Sequence, residues 1–148
     1  LLYLNDYIFS VEQNLIGLLK ENNGKIVNEI SDDVQVKALP AYLESILTNC
    51  LTNAIKYRNT EKDPIIILSV EKQEDYIVLH IEDNGMGLDM KKYGHKLFGI
   101  YNTFHKNKDS RGIGLYISKN QIEAMNGKIS AASVPGQGTT FSIFFSNK

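Results

Sequence analysis

Asn49 and Asn53 stand four residues apart in the stretch NCLTNAIKY, and Lys56 and Tyr57 follow three and four residues further on. In a helix, about 100° per residue places all four in one stripe. Asn is a mediocre helix former because its side chain competes for backbone hydrogen bonds, so a pair in register calls for a reason. A solvated helix face is one reading. A ligand site is the other: an Asn carbonyl oxygen suits Mg²⁺, a hard cation that takes oxygen donors and keeps several waters. Lys56 can meet a phosphate as a point charge, and Tyr57 can pack its ring against a base.

A second candidate lies in IEDNGMGLD, residues 81–89. The run before it alternates Ile77, Leu79 and Ile81, which places Asp83 on the same apolar side. A carboxylate there needs donors. An exocyclic amine supplies one, and adenine carries such an amine where guanine presents a carbonyl. Gly85 and Gly87 let the backbone approach a flat ring without Cβ clashes. The competing reading is a hairpin turn on Asn84-Gly85. Downstream, SRGIGLY sets Arg111, Gly112, Gly114 and Leu115 at a predicted helix start, where free amides and the positive dipole end favour phosphate oxygens. GQGTT at 136–140 reads by itself as a tight turn between strands.

The elements that must position these residues are legible from periodicity. Asn5 or Asp6 can cap a first helix running to about Asn22, with Ile8, Val11, Leu15, Leu18 and Leu19 at helical spacing. ENNGK ends it, and short strand-like pieces follow at KIVNEI and VQVKAL. A second helix fits 40–57, opened by Pro40, with Leu43, Ile46, Leu47, Cys50, Leu51 and Ala54 as its apolar face. IIILSVE and DYIVLHIED read as a hairpin. From Gly85 to Gly112 no clean period exists, and loops of that length are usually functional or mobile. A third helix runs from about Gly112 to Met125 and stops at Asn126-Gly127, and KISAAS and TTFSIFF close the chain. The expected fold class is α+β: a two-layer sandwich with a mixed, mostly antiparallel sheet covered by about three helices.

The 148 residues fit one domain, 1–148, with ordinary hydrophobic and charged content. A net charge of −1 gives no reason to expect nucleic-acid or membrane-surface binding. The charge is unevenly placed: six Lys/Arg face two Asp between Asp89 and Arg111, a locally basic stretch suited to an anion. Cys50 is the single cysteine, which rules out an internal disulfide and makes a Cys-based metal site implausible. No apolar run approaches a membrane span and no signal peptide is visible, so a cytoplasmic setting is expected. The opening LLYLND lacks an initiator Met, which predicts a piece of something larger.

Taken together and in order, the Asn helix, DNGMG, a basic loop containing LFGIYNTFH, RGIGL and GQGT resemble the ATP-binding domain of sensor histidine kinases. That family falls in a wider group with type II topoisomerases, heat-shock chaperones and mismatch-repair ATPases. The resemblance covers nearly the whole chain and implies ATP and Mg²⁺ as cofactors. It makes Asn49 and Asn53 the N box, with Asn53 the magnesium ligand and Lys56 and Tyr57 bordering the nucleotide. Asp83 would hold the adenine amine beside Gly85 and Gly87. Phe98 and Phe104 would belong to the lid, and Gly112, Gly114 and Leu115 to the phosphate turn. Gly138 and Thr139 would lie near the base. Asn49, Lys56 and Arg111 are the catalytic candidates, and Lys106 and Lys108 are further candidates for the γ-phosphate.

The same resemblance separates transfer from hydrolysis. Hydrolysing members of the wider group place a Glu four residues before the magnesium Asn. Here that position is Asn49, which cannot act as a base near neutral pH. Glu44 lies nine residues before Asn53, about two and a half turns away. His80, His95 and His105 all lack the family's acceptor context, a His followed by an acidic residue on an amphipathic helix. The acceptor is therefore expected on a dimerisation domain outside this chain, with residues 1–4 as the tail of its connector and a response regulator as the next partner. Without dimerisation helices the piece is expected to be a monomer, unable to autophosphorylate alone. The alternatives are a serine kinase of the anti-sigma type and a nucleotide-binding regulatory or scaffold module without transfer.

Overall fold

The structure, a computed structural model, describes residues 1–56, 59–87 and 111–148, and of residues 111–113 the backbone alone. In chain order the elements are β1 (Leu2–Tyr3), α1 (Leu4–Asn14), α2 (Ile16–Glu21), β2 (Lys25–Asn28), β3 (Gln35–Val36) and α3 (Pro40–Lys56). They continue with β4 (Ile65–Lys72), β5 (Tyr76–Asp83), α4 (Arg111–Ala124), β6 (Lys128–Val134) and β7 (Gly138–Ser146). Five strands form one sheet in the order β2-β4-β5-β7-β6, parallel at β2–β4 and antiparallel elsewhere, and β1 pairs with β3 in a separate two-stranded ribbon. This is the expected α+β arrangement: a mixed, mostly antiparallel sheet under helices.

Strand alternation decides which face is covered. Ile66 and Leu68 of β4, Leu79 and Ile81 of β5, and Phe141, Ile143 and Phe145 of β7 fall on one side, and all are buried. Against them α3 lays Leu43, Ile46, Leu47, Cys50, Leu51 and Ile55, all fully buried. Burial of that kind stabilises by about 1.5–3 kcal/mol per large aliphatic side chain. Asp83 and Thr139 continue the covered rows past Ile81 and Phe141. The sheet's core face thus ends in two polar residues. The opposite face carries polar and aromatic pairs: Tyr76 meets Phe144 edge-on at 5.6 Å, Lys128 lies over both rings, and His80 bonds Ser142.

Helix ends follow their local chemistry. Pro40 opens α3, where its missing N–H costs nothing. Asn126 is left-handed at φ 64° and Gly127 N–H returns to the Ile122 carbonyl, which stops α4 where the sequence predicts. The first helix departs from expectation. It divides at Leu15 (φ −101°, ψ 5°) into α1 and α2, with Gly17, a poor helix former, just beyond the break. Asn5 does not cap it; its amide donates to Ile30 O and Asp32 Oδ1, and its Oδ1 accepts from Asn28, tying α1 to the turn after β2. KIVNEI stops early as a strand because Asn28 Oδ1 takes the Ile30 N–H.

Candidate active site

The Asn stripe on α3 sits where the helix leaves the core. Asn53 is 6 % exposed, and its Nδ2 has no hydrogen-bond partner among the described atoms. A buried amide left so costs about 1–3 kcal/mol, so the group calls for a partner from outside the described residues. In this orientation the group would donate through Nδ2 to a phosphate oxygen. Turned over, an assignment the heavy atoms allow, it would present Oδ1 to a hard cation. Lys56 is exposed at the helix end. Tyr57, next in the predicted stripe, lies outside the described residues.

Asn49 is already engaged. Its Nδ2 lies 3.2 Å from the Gly114 carbonyl and 3.2 Å from Ser118 Oγ, bridging α3 to the first turns of α4. A Cβ at Gly114 would come within 3.6 Å of the Asn49 amide, ordinary contact. Ser118 is fully buried, so this bridge also satisfies an interior hydroxyl. The tie fixes the N-terminal end of α4 relative to Asn53 one turn further along α3. The backbone of Arg111 and Gly112 opens α4, while the Arg111 side chain, with Phe98, Phe104, Lys106 and Lys108, lies outside what the structure describes. Leu115 is fully buried in the core.

At the end of β5, Asp83 Oδ1 accepts from Gly85 N–H at 2.8 Å and from Thr139 N–H at 3.2 Å. Two main-chain donors hold the carboxylate in one orientation. The glycines make that corner possible. Gly138 (φ 123°) passes so close to β5 that a Cβ would run into the Asp83 carbonyl. Gly87 (φ 71°) lies against the β6–β7 turn, where a Cβ would strike the Val134 carbonyl. Their bareness first serves to pack two loops together, a reason that spacing did not reveal. Asn84 clamps the start of β4, accepting from Ile65 N–H and donating to the Asp63 carbonyl.

Ser133 completes the corner: its Oγ donates to the Gly138 carbonyl at 2.9 Å and lies 2.8 Å from Thr139 Oγ1. Neither Ser118 nor Ser133 stood out in the sequence. Ser133 had a signal, since it continues the inward row Ile129, Ala131 of β6. A cavity of about 550 Å³ reaches this corner: Asp83, Ser133, Gly138 and Thr139 line it together with residues such as Ile65, Ile67, Glu82, Ala132 and Val134, which strand alternation puts on the other face of the sheet. The one thiol, Cys50, is fully buried beneath α3, and burial pushes its pKa up to about 12, so it supplies no nucleophile.

Comparison with known proteins bears on this geometry. Residues 38–148 match the family described as histidine kinase-, DNA gyrase B- and HSP90-like ATPase. The chain is 30 % identical over 141 residues to the phytochrome-like protein Cph1 of Synechocystis, across 90 % of this chain and 19 % of that protein. It is 30 % identical over 149 residues to the histidine protein kinase SaeS of Staphylococcus aureus, across 97 % of this chain and 42 % of the relative. The chain therefore spans less than half the length of either relative. Among solved structures, the catalytic domain of histidine kinase ThkA superposes with a TM-score of 0.83 at 20 % identity, covering 98 % of this chain and 93 % of that one. The histidine kinase AdeS of Acinetobacter baumannii gives 0.76 at 21 % identity, with 97 % and 65 % covered. Both show a common fold.

Proposed function

The chain belongs to the histidine kinase-, DNA gyrase B- and HSP90-like ATPase family, as an ATP-binding catalytic domain of the sensor histidine kinase type, and on that premise we propose that it binds ATP with Mg²⁺ and passes the γ-phosphoryl to a histidine on a separate dimerisation domain. The observation that carries the nucleotide half is the Asp83 carboxylate, aimed by Gly85 and Thr139 N–H groups at the end of a buried strand row. Such a carboxylate receives the adenine amine and repels the guanine carbonyl. The N-terminal end of α4 would offer phosphate oxygens its first amides and the positive end of its dipole.

Magnesium fits the residues present. Among the described residues no three His, Cys, Asp or Glu side chains converge. Asn53 would hold the ion through its amide oxygen, with phosphate oxygens and water filling the other positions. Bound there, Mg²⁺ supplies neutralisation of phosphate charge.

Asn49 favours transfer over hydrolysis. At the place where hydrolysing relatives need a carboxylate base, its amide donates to Gly114 and Ser118 and cannot take a proton from water. The chain's contribution is therefore positioning and electrostatics, which dominate phosphoryl transfer. The bond from the γ-phosphorus to the bridging oxygen breaks and ADP keeps its electron pair. A neutral imidazole nitrogen of the acceptor forms the new P–N bond, and the ring proton passes to solvent. Lys56 and Arg111 are the cations proposed to offset charge at the γ-phosphate. A response regulator takes the phosphoryl group in turn. The setting is cytoplasmic, and no helix among the described residues is long and apolar enough to cross a membrane.

Incubating the chain with γ-labelled ATP and a separately produced dimerisation domain tests this reading. Acid-labile, base-stable label on that domain's histidine is expected. Bound ATP with no label would favour a regulatory module, and acid-stable label on serine would favour a serine kinase.

A further inference from the structure

At the end of the sheet that carries Asp83 the two faces differ. One residue back on β5 and one further on β7, Glu82 and Thr140 point away from the helices and sit directly opposite each other. Ile67 lies beside Glu82 on β4, and Ala132 lies beside Thr140 on β6. A row Ile67, Glu82, Thr140, Ala132 therefore crosses the outward face. Two residues along their strands, Ile65 and Val134 continue the two ends of that row, and Gly138, the partner of Val134, adds no side chain between them. The result is a trough whose apolar walls, on β4 and β6, stand three strand spacings or roughly 14 Å apart. It is the outward part of the cavity of about 550 Å³, a volume in the range of small-molecule sites. Ile65 is 41 % and Val134 51 % exposed, so both walls keep apolar surface for an occupant.

The floor of the trough carries one charge. The other outward charges of β5, β7 and β6 are engaged: His80 with Glu71 and Ser142, and Lys128 over the Tyr76 and Phe144 rings. Glu82 makes no hydrogen bond or ion pair among the described residues. A carboxylate between apolar walls suits a cation with an apolar body, which covers the walls and donates a charge-assisted hydrogen bond. A bare Mg²⁺ or Ca²⁺ ion would find one carboxylate where it needs about six oxygens, and an anion would be repelled. We propose that this trough is a second ligand site, on the sheet face opposite the Asp83 side chain, for a small organic ammonium ion. Its ammonium group meets Glu82, and its aliphatic or aromatic body lies between the Ile65 and Ile67 wall and the Ala132 and Val134 wall.

The test is titration of the 148-residue chain at pH 7 with three probes, followed through its methyl NMR signals. Tryptamine has body and charge, tryptophol has the same indole with a hydroxyl in place of the amine, and ethylamine has the charge with little body. Tryptamine should shift the Ile65, Ile67 and Val134 signals and bind roughly three- to tenfold tighter than tryptophol, a charge-assisted contact discounted for its exposure. Ethylamine should bind more weakly than tryptamine. Glu82→Gln should erase the preference for the amine and leave tryptophol binding as it was. Ile67→Ala should weaken tryptamine and tryptophol alike. Equal affinity of wild type for tryptamine and tryptophol, a preference that survives Glu82→Gln, or ethylamine binding as tightly as tryptamine would overturn the inference. So would shifts confined to Leu115 and Thr139, which belong to the covered face. None of these results depends on ATP binding, so the nucleotide reading stands or falls separately.

Discussion

Asn49 and Asn53 are the same residue type on one helix, yet their surroundings give them opposite consequences on removal. Asn49→Ala breaks the bridge to Gly114 and leaves the buried Ser118 hydroxyl without its donor, which should cost about 1–3 kcal/mol in urea unfolding. Ser118→Ala should cost less, since the Gly114 bond survives, and the double variant should fall short of the sum. Asn53→Ala removes an amide nitrogen that has no partner among the described residues and should change stability by less than about 1 kcal/mol. It should also remove most of the gain in ATP affinity that Mg²⁺ confers, measured by titration with the metal and with chelator. The spacing of the two Asn was legible in the sequence because a helix brings residues four apart together. Their division of labour was not, because Ser118 lies 69 positions away and reaches Asn49 only through the packing of α4 on α3.

Element by element, what the sequence revealed was what local periodicity controls. α3 runs as Pro40 and its apolar face demand, and α4 stops at Asn126-Gly127. The break at Leu15, the shortening of β2 by Asn28 and the capture of Asn5 by the following turn each depend on a tertiary partner or a side-chain bond that competes with regular structure. The glycines show the same divide. Gly136 and Gly138 read alike in GQG, and both have positive φ, but a Cβ at Gly136 would meet nothing within 4 Å, whereas at Gly138 it would strike the Asp83 carbonyl. Gly136→Ala should therefore cost about 1–2 kcal/mol from backbone conformation alone and leave ATP affinity intact. Gly138→Ala should cost more and should weaken ATP binding sharply, because β7 must move away from the carboxylate. Urea unfolding and ATP titration on the two variants separate the cases.

For the molecule as a whole, the single buried thiol offers a reporter of opening. Cys50 is fully buried and its pKa is raised to about 12, so alkylation at pH 8 should proceed through open forms that expose α3's apolar face. If the nucleotide binds only the closed fold, ATP at about 100 times its Kd stabilises by about 2.7 kcal/mol and should slow labelling roughly a hundredfold. An unchanged labelling rate would mean that the core opens without disturbing the site. The central claim is nearer the surface, at the Asp83 corner. Calorimetric titration of ATP, with and without Mg²⁺, into wild type and Asp83→Asn, with GTP alongside, tests it most directly. The predicted result is magnesium-assisted ATP binding by wild type, lost in Asp83→Asn and absent with GTP. A well-folded wild-type chain that binds no ATP, or an Asp83→Asn variant that binds it as tightly, would contradict the account.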